Sequence, residues 1–580
     1  MAKPTVWSLD LFLGIVYVLH ILWAALVFIP KIGDAVAEKC YQHYHCARHI
    51  RRSSFGYNID LADGQWREFR HSLGLLMVTA AGTSFVVYVA RNVLSKQLKF
   101  KHTEVVILIS GLRIIIGVVI LFVQHGYHAL IVISIASAGY LLARLTYKQK
   151  SHFVVSWMFA VFVLLFKESY RIKHMKGFQF LIPLFDRRYG GMYGWQLPTN
   201  FLVLRIISYS LDLHWNYDTT TAVQAQKDDD ENSDNTSNDS KGILLSDYSA
   251  LHYFAYVLYA PLYMAGPGIT YDNFVVCSKL KHESMMYTAT ISKPTTVVVN
   301  RTINSDPTTS NTSADAPTIT ATPTSTPMTP STGARENIPL YALRFLLCLL
   351  LLEYLLHRFP FFAVAGSGLV TALSPLQTAV LSYVLLKMMW LKFLLLWRFF
   401  RLWAMCDGVY APENMTRCMS NTYSLELFWR GWHSSFNAWL VRYLYRPLGG
   451  RGSQLYSVWL IFLFVALWHD IEVKLVAWGL LNALFYVVEV CVKRVVSYME
   501  VHALLPAPLY ELACAIGGAV YIIVLIGVNL VGYAVGVGGV SAMMGRLQSQ
   551  EGLHMILGCF YFLVVAVLLM RLLKRHGLAK

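Results

Sequence analysis

Along the 580 residues, long apolar runs alternate with short polar connections. The runs fall at residues 6–29, 73–90, 105–123, 129–145, 153–166, 251–265, 339–357, 373–400, 456–468, 475–492, 509–535 and 554–573. A straight membrane helix needs about 20 mostly apolar residues. Runs near that length predict membrane-crossing helices, and the shorter ones predict tilted or re-entrant pieces. The first run is too long for a signal-peptide core and lacks a small-residue cleavage site, so it reads as an uncleaved span. The pattern predicts an all-α polytopic membrane protein with about 10–12 transmembrane helices, because hydrocarbon tolerates only backbones that satisfy their own hydrogen bonds. No internal repeat is visible.

Two stretches break the pattern. Residues 218–242 hold the acidic run Asp228, Asp229, Asp230 and Glu231, and residues 293–335 are rich in Thr and Pro and lack aromatic side chains. Neither has enough apolar surface to offset the entropy of ordering, so both read as disordered insertions. Sequons for glycosylation occur at Asn235, Asn238, Asn300 and Asn311. The chain therefore divides into an N-terminal transmembrane region (1–217), an acidic insertion (218–242), a membrane segment (243–292), a second insertion (293–335), a core (336–500) and C-terminal transmembrane helices with a basic tail (501–580).

Composition agrees with the pattern. Hydrophobic residues make up 56% and charged residues 14%, against roughly 25% charged in soluble domains. Mean hydropathy is +0.47. A soluble fold, a secreted disulfide scaffold and a mostly disordered chain are excluded. The net charge of +16 points to membrane loops, anionic lipid or an acidic cosubstrate, and no nucleic-acid partner is expected. Basic residues gather at Lys31, Lys39, Arg48, Arg51 and Arg52, and again at Arg571, Lys574, Arg575 and Lys580. The positive-inside rule places both groups in the cytosol. The basic segment 91–101 fits only if an even number of crossings separates it from the first group. The nine cysteines show no disulfide framework. The run from Cys40 to His49 has metal-capable side chains but no paired ligand spacing, so no metal is expected.

Polar chemistry concentrates between Asp407 and Asn482. The segment reads Asp407-Gly-Val-Tyr-Ala-Pro-Glu-Asn-Met415, then Phe428-Trp-Arg-Gly-Trp-His433-Ser-Ser-Phe-Asn437-Ala-Trp439-Leu-Val-Arg442-Tyr443-Leu-Tyr-Arg446. An apolar run follows and ends in Trp468-His469-Asp470-Ile-Glu472. An ionisable group at membrane depth is costly and marks function by default. Imidazole suits proton abstraction near neutral pH. The competing reading of His469 is a span-end histidine facing headgroups beside Asp470. Trp429, Trp432 and Trp439 have helical spacing, so this stretch reads as an interfacial amphipathic helix, either a bare anchor or a support for His433.

Taken together, Trp-x-x-Trp-His433 and Leu-Trp-His469-Asp, 36 positions apart, resemble the membrane-bound O-acyltransferase superfamily. The Ala-Pro-Glu-Asn-Met and Phe-Trp-Arg-x-Trp-His text, with Tyr259-Ala-Pro-Leu-Tyr-Met-Ala-Gly-Pro267, is similar to its glycerol-uptake-protein branch. The resemblance implies a helical barrel with re-entrant and interfacial helices. It implies transfer of an acyl group from acyl-CoA, with no permanently bound cofactor, to a lyso-glycosylphosphatidylinositol (lyso-GPI) anchor or other lipid acceptor in the endoplasmic reticulum membrane. It maps His469 and His433 as catalytic. Trp429, Arg430, Trp432, Asn437, Arg442, Arg446, Trp468 and Asn482 are the expected substrate-binding residues. A protein palmitoyltransferase and a polytopic glycerol transporter are the alternatives. No inverted repeat or pair of broken helices favours the transporter.

Charged residues inside apolar runs, namely Arg113, Arg344, Glu353, Lys387 and Lys392, read either as glue between helices or as the lining of a headgroup or coenzyme A tunnel. Asp407 and Glu413 read either as loop-fixing caps or as contacts to a polar ligand.

Overall fold

A computed structural model describes residues 23–53, 56–175, 192–229, 243–279, 337–501 and 505–575. Near the N-terminus lie α1 (Ile29–Gln42) and a two-stranded antiparallel hairpin, β1 (Ile50–Arg52) with β2 (Asn58–Asp60), in which Ile50 faces Asp60. Then come α2 (Gly64–Asn92), α3 (His102–His125), α4 (Ala129–Thr146), α5 (His152–Met175) and α6 (Gln196–Asp229). Three short helices follow, α7 (Ala250–Val257), α8 (Ala260–Met264) and α9 (Tyr271–Lys279). The second half holds α10 (Ile338–Arg358), α11 (Phe361–Gly366), α12 (Pro375–Cys406), α13 (Leu425–Gly431), α14 (Ser434–Leu440), α15 (Gln454–His469), α16 (Val473–Val501), α17 (Ala507–Asn529), α18 (Gly536–Leu547) and α19 (Gln550–Arg575).

Among the described residues, 10 helices are long and apolar enough to cross a membrane. The molecule is an all-α polytopic membrane protein. Ten predicted runs correspond to these helices. The run at 6–29 is described only from Trp23 onward. The central helix is α12, with 61% of its apolar window buried. Its start is fixed by a capping box, in which Ser374 Oγ accepts from Gln377 N and Gln377 Oε1 accepts from Ser374 N.

The run at 251–265 is not a span. It breaks into α7 and α8 around Leu258 and Tyr259, where Pro261 cannot continue the ladder. The carbonyls freed at the break would be unsatisfied in an apolar interior. Arg205 supplies the missing donor: Nη1 lies 3.1 Å from the carbonyl oxygens of both Tyr256 and Val257. Arg205 sits on α6, which the apolar pattern does not mark because Asn200, Arg205 and Asp212 interrupt it. All three are buried, so α6 is an interior helix rather than a lipid-facing one.

Three of the charges inside spans, Arg113, Glu353 and Lys392, cross-link separate elements. Arg113 donates to Ser278 Oγ and to the Asp407 carbonyl, each at 3.0 Å. Arg70 pairs with Glu353 at 2.9 Å and Lys392 with Asp63 at 2.8 Å. Glu413 receives Tyr341 Oη at 2.9 Å and Arg401 Nη1 at 3.4 Å, and Asp407 receives Ser84 Oγ at 2.6 Å and Tyr259 Oη at 3.0 Å. Both carboxylates fix loops. Arg344 is exposed on α10, and Lys387 meets Ser420 Oγ.

The acidic stretch from residue 218 begins as the continuation of α6 to Asp229. Its remainder, the insertion at 293–335 and all four sequons lie outside the described residues.

The two ends of the bundle differ. At one end stand the hairpin, the start of α2 and the end of α3; Tyr193 joins the two helices, contacting Ser72 Oγ while its carbonyl meets His125 Nδ1. Cys40 and Cys46 are joined there by a disulfide. At the other end are Arg91, Lys96 and Lys101. The tail lies at that end too, because Arg571 pairs with Glu511 near the start of α17, while the end of α17 meets the start of α16 through Trp478 and Asn529. The first basic group and the tail are thus on opposite faces, contrary to the expectation from charge counting. One crossing, α2, separates the first group from segment 91–101. Part of the first group is spent on protein partners, as where Lys39 Nζ donates to Gln377 Oε1 at 2.9 Å. Disulfides persist in oxidising compartments, which makes the hairpin end the lumenal or external face. In sealed vesicles of a variant whose other cysteines are replaced, Cys40 and Cys46 should react with an impermeant maleimide only after reduction. They should react from the face opposite to a probe introduced as Lys96→Cys, and labelling of both from one face contradicts this arrangement.

Candidate active site

A cavity of about 1130 Å³ runs through the bundle and is bordered by α12, α13, α14, α15 and α16. Its lining includes Trp429, Arg430, Trp432, His433, Asn437, Trp468 and His469. The two histidines, 36 positions apart in sequence, therefore border one space.

His433 stands in a turn rather than within a helix. The chain leaves α13 at Trp432, reverses through His433 at φ 49° and ψ 45°, and enters α14. Among the described residues only Lys99 and His433 are non-glycine positions with positive φ. Such a conformation is sparsely populated and persists when its surroundings over-determine it. The surroundings here are the Pro-Glu-Asn-Met segment. Met415 and Trp432 form an antiparallel bridge, and Thr416 N donates to the Gly431 carbonyl at 3.1 Å. Ser434 N donates to the Asn414 carbonyl at 2.9 Å, and Asn414 Oδ1 meets His433 Nδ1 at 3.2 Å. The His433 ring packs on Trp397, 4.4 Å between centroids, and on Phe436 at 5.1 Å. This turn corrects the single interfacial helix expected from tryptophan spacing: Trp439 is buried, with Nε1 donating to the Leu204 carbonyl at 3.1 Å.

His469 ends α15, and the chain turns through Asp470 to Glu472 before α16. Asn200 on α6 fixes this end, since its carbonyl accepts from Trp468 Nε1 at 2.8 Å and its amide reaches the His469 carbonyl at 3.5 Å. The His469 ring is boxed by Trp468, Trp478 and Tyr533, with centroids 4.8, 6.1 and 5.7 Å away. Trp468 also touches the His433 ring at 6.0 Å, so one indole lies against both imidazoles. The ring nitrogens of His469 have no hydrogen-bond partner among the described residues.

The other expected residues divide. Arg430 lies at the cavity rim, paired with Glu426 at 2.6 Å. Arg442 does not border the cavity; its guanidinium is held by Asp212 at 2.7 Å and Asp272 at 3.0 Å. Arg446 is exposed and away from the cavity lining. Asn482 is fully buried and donates to the Trp478 carbonyl at 2.8 Å. The sequence assigns no role to Asn200, Asn414 or Tyr533; Lys392, expected as glue or as tunnel lining, both pairs with Asp63 and borders the cavity. Asn414 stood in a quoted motif, but nothing in its spacing tied it to His433.

The cavity has a basic rim of Arg430, Arg451, Lys493 and Arg494 around Glu426, at the end opposite the hairpin. Toward the hairpin it is bordered by Asp63, Gln65 and Lys392, and by Asp470, Glu472 and Lys474. No group of three or more metal-capable side chains occurs among the described residues.

The family model described as membrane-bound O-acyltransferase matches residues 180–533. The membrane-bound O-acyltransferase gup1 of Schizosaccharomyces pombe is 29% identical over 523 residues, covering 89% of this chain and 80% of the relative. The GUP1 protein of Saccharomyces cerevisiae, with the same description, is 28% identical over 603 residues, covering 99% of this chain and 94% of the relative. A shorter match, 33% identical over 112 residues, covers 19% of this chain and 22% of the mouse protein-cysteine N-palmitoyltransferase HHAT.

The wall behind His469 has one tight point. A Cβ at Gly532 would stand 2.6 Å from Trp478 Cδ1, and Trp478 is almost fully buried. Gly532→Val should therefore destabilise the purified protein by about 1–3 kcal/mol, the usual cost of overpacking. Thermal unfolding in detergent measures it, and an unchanged midpoint contradicts the packing described.

Proposed function

The chain belongs to the membrane-bound O-acyltransferase family, and from that premise we propose that it moves a long-chain fatty acyl group from acyl-CoA to a lipid hydroxyl, with a lyso-GPI anchor in the endoplasmic reticulum membrane as the acceptor. Acyltransferase activity follows from the family. The donor, the acceptor and the compartment are the proposal. The observation that carries it is the placing of His433 and His469 on one cavity that extends from a basic rim toward the hairpin end.

The rim fits the donor. Arg430, Arg451, Lys493 and Arg494 outnumber Glu426 and the nearby Glu489, leaving positive charge for nucleotide phosphates. The cavity's aromatic lining fits the fatty chain. The acceptor headgroup would enter from the hairpin end, beside Asp63, Gln65 and Lys392. The choice of a GPI lipid rests on the resemblance of the quoted motifs to the glycerol-uptake-protein branch.

The chemistry needs no nucleophile of the protein's own. A thioester is already activated, so alignment and proton removal are the main tasks. His469, whose ring nitrogens meet no partner among the described residues, takes the hydroxyl proton as the oxygen attacks the thioester carbon. The C–O bond forms, the C–S bond breaks, and the proton passes from His469 to the departing thiolate. The products are an ester and coenzyme A. Asn200 and the aromatic box hold the His469 ring in place for this step.

The local similarity to a palmitoyltransferase of protein cysteine supports a second reading, in which the acceptor is a polypeptide. Purified protein supplied with labelled acyl-CoA and either a lyso-GPI analogue or a peptide separates the two. His469→Ala should abolish transfer while leaving expression and membrane insertion intact, because general-base catalysis supplies about 10²–10⁴-fold. His433→Ala should lower turnover, and His433→Asn should retain more of it. Near wild-type transfer by His469→Ala overturns the assignment, and transfer to the peptide alone selects the second reading.

A further inference from the structure

The hydrogen bonds around Asn414 fix which nitrogen of His433 carries its proton. Asn414 is fully buried, and its Oδ1 lies 3.2 Å from Ser435 N, 2.5 Å from Ser435 Oγ and 3.2 Å from His433 Nδ1. A backbone N–H only donates, so the amide atom it meets is the oxygen and the amide is not reversed. Ser435 Oγ receives Gly268 N at 2.9 Å and gives its own hydrogen to Asn414. His433 Nδ1 faces the same oxygen, which has nothing to donate. Nδ1 therefore carries the hydrogen, and in a neutral imidazole the other nitrogen, Nε2, is then an acceptor. Nε2 has no partner among the described residues, and His433 borders the cavity. A neutral His433 in this tautomer cannot donate to a thioester carbonyl from the cavity side. It can only accept.

The donor's own structure says what it accepts. An acyl-CoA reaches from nucleotide to thioester through an arm with amide N–H groups, one of them two carbons from the sulfur. The arm must pass from the rim at Arg430 along α13 to the wall where His433 meets Trp397, Phe436 and Trp468. Those rings offer no acceptor for an N–H, and an N–H buried without one is costly. We propose that Asn414 is a positioning residue that locks His433 as its Nδ1–H tautomer, and that His433 Nε2 holds the amide N–H of the acyl donor's pantetheine arm. This rests on the acyl-CoA reading above. It leaves the acceptor hydroxyl to His469 and makes His433 a residue of donor orientation.

Two small thioesters of the same fatty acid isolate the contact. The acyl-N-acetylcysteamine thioester keeps the N–H nearest the sulfur, and the acyl-propanethiol thioester lacks it. Wild-type protein should prefer the first by roughly tenfold in kcat/KM, the scale of one buried hydrogen bond. Asn414→Asp keeps an acceptor oxygen toward Nδ1 and should retain the preference, whereas Asn414→Ala and His433→Ala should lose it. Solid-state ¹⁵N spectra of histidine-labelled wild-type protein give a second readout that needs no variant to fold, and His433 Nε2 should appear unprotonated. Equal use of the two thioesters by wild type, an unchanged preference in His433→Ala, or a protonated Nε2 overturns the proposal. Failure of wild type to use acyl-CoA at all overturns the donor reading instead.

Discussion

Hydrocarbon cannot satisfy a polar group, and that constraint organises this molecule. Each buried donor or acceptor must find a partner inside the protein. Arg205 exists at depth because the break between α7 and α8 leaves carbonyls that need a donor. Arg113 and Asp407 tie α3 to the loop after α12. Asn414 gathers Ser434, Ser435 and His433 into one turn. Against this background, His433 Nε2 and the ring nitrogens of His469 stand apart: they meet no partner among the described residues, and both side chains border the cavity.

The same constraint explains how two distant stretches of chain make one site. His433 is placed by backbone pairing with the Pro-Glu-Asn-Met segment, and His469 by Asn200 on an interior helix. Both placements work through backbone atoms and buried amides, which hold position better than exposed ion pairs do. Trp468 then lies against both rings. The left-handed backbone at His433 is kept because four hydrogen bonds tie His433, Ser434 and Ser435 to Asn414, while Thr416 N holds the Gly431 carbonyl before the turn.

Much of this was legible in the sequence, and the illegible part has physical causes. The apolar runs locate ten crossing helices because lipid-facing surface must be continuous. Helix α6 escaped because an interior helix needs no such surface and carries Asn200, Arg205 and Asp212 instead. The run at 251–265 was apolar enough for a span, but the break before Pro261 turns it into two buried pieces. His433 and His469 stood out by motif, whereas Asn414 did not, since its contact spans 19 positions and two non-helical segments. Charge counting places both basic groups on one face because it cannot see that Cys40 and Cys46 pair, or that Lys39 is occupied by Gln377.

The central claim is that the shared cavity is where donor and histidines meet. A cryo-electron microscopy structure of the purified protein with a non-hydrolysable thioether analogue of acyl-CoA tests it most directly. The account predicts nucleotide density among Arg430, Arg451, Lys493 and Arg494, with the carbon next to the sulfur beside His433 and His469. Density for the analogue outside this cavity, or with its sulfur remote from both histidines, would contradict it.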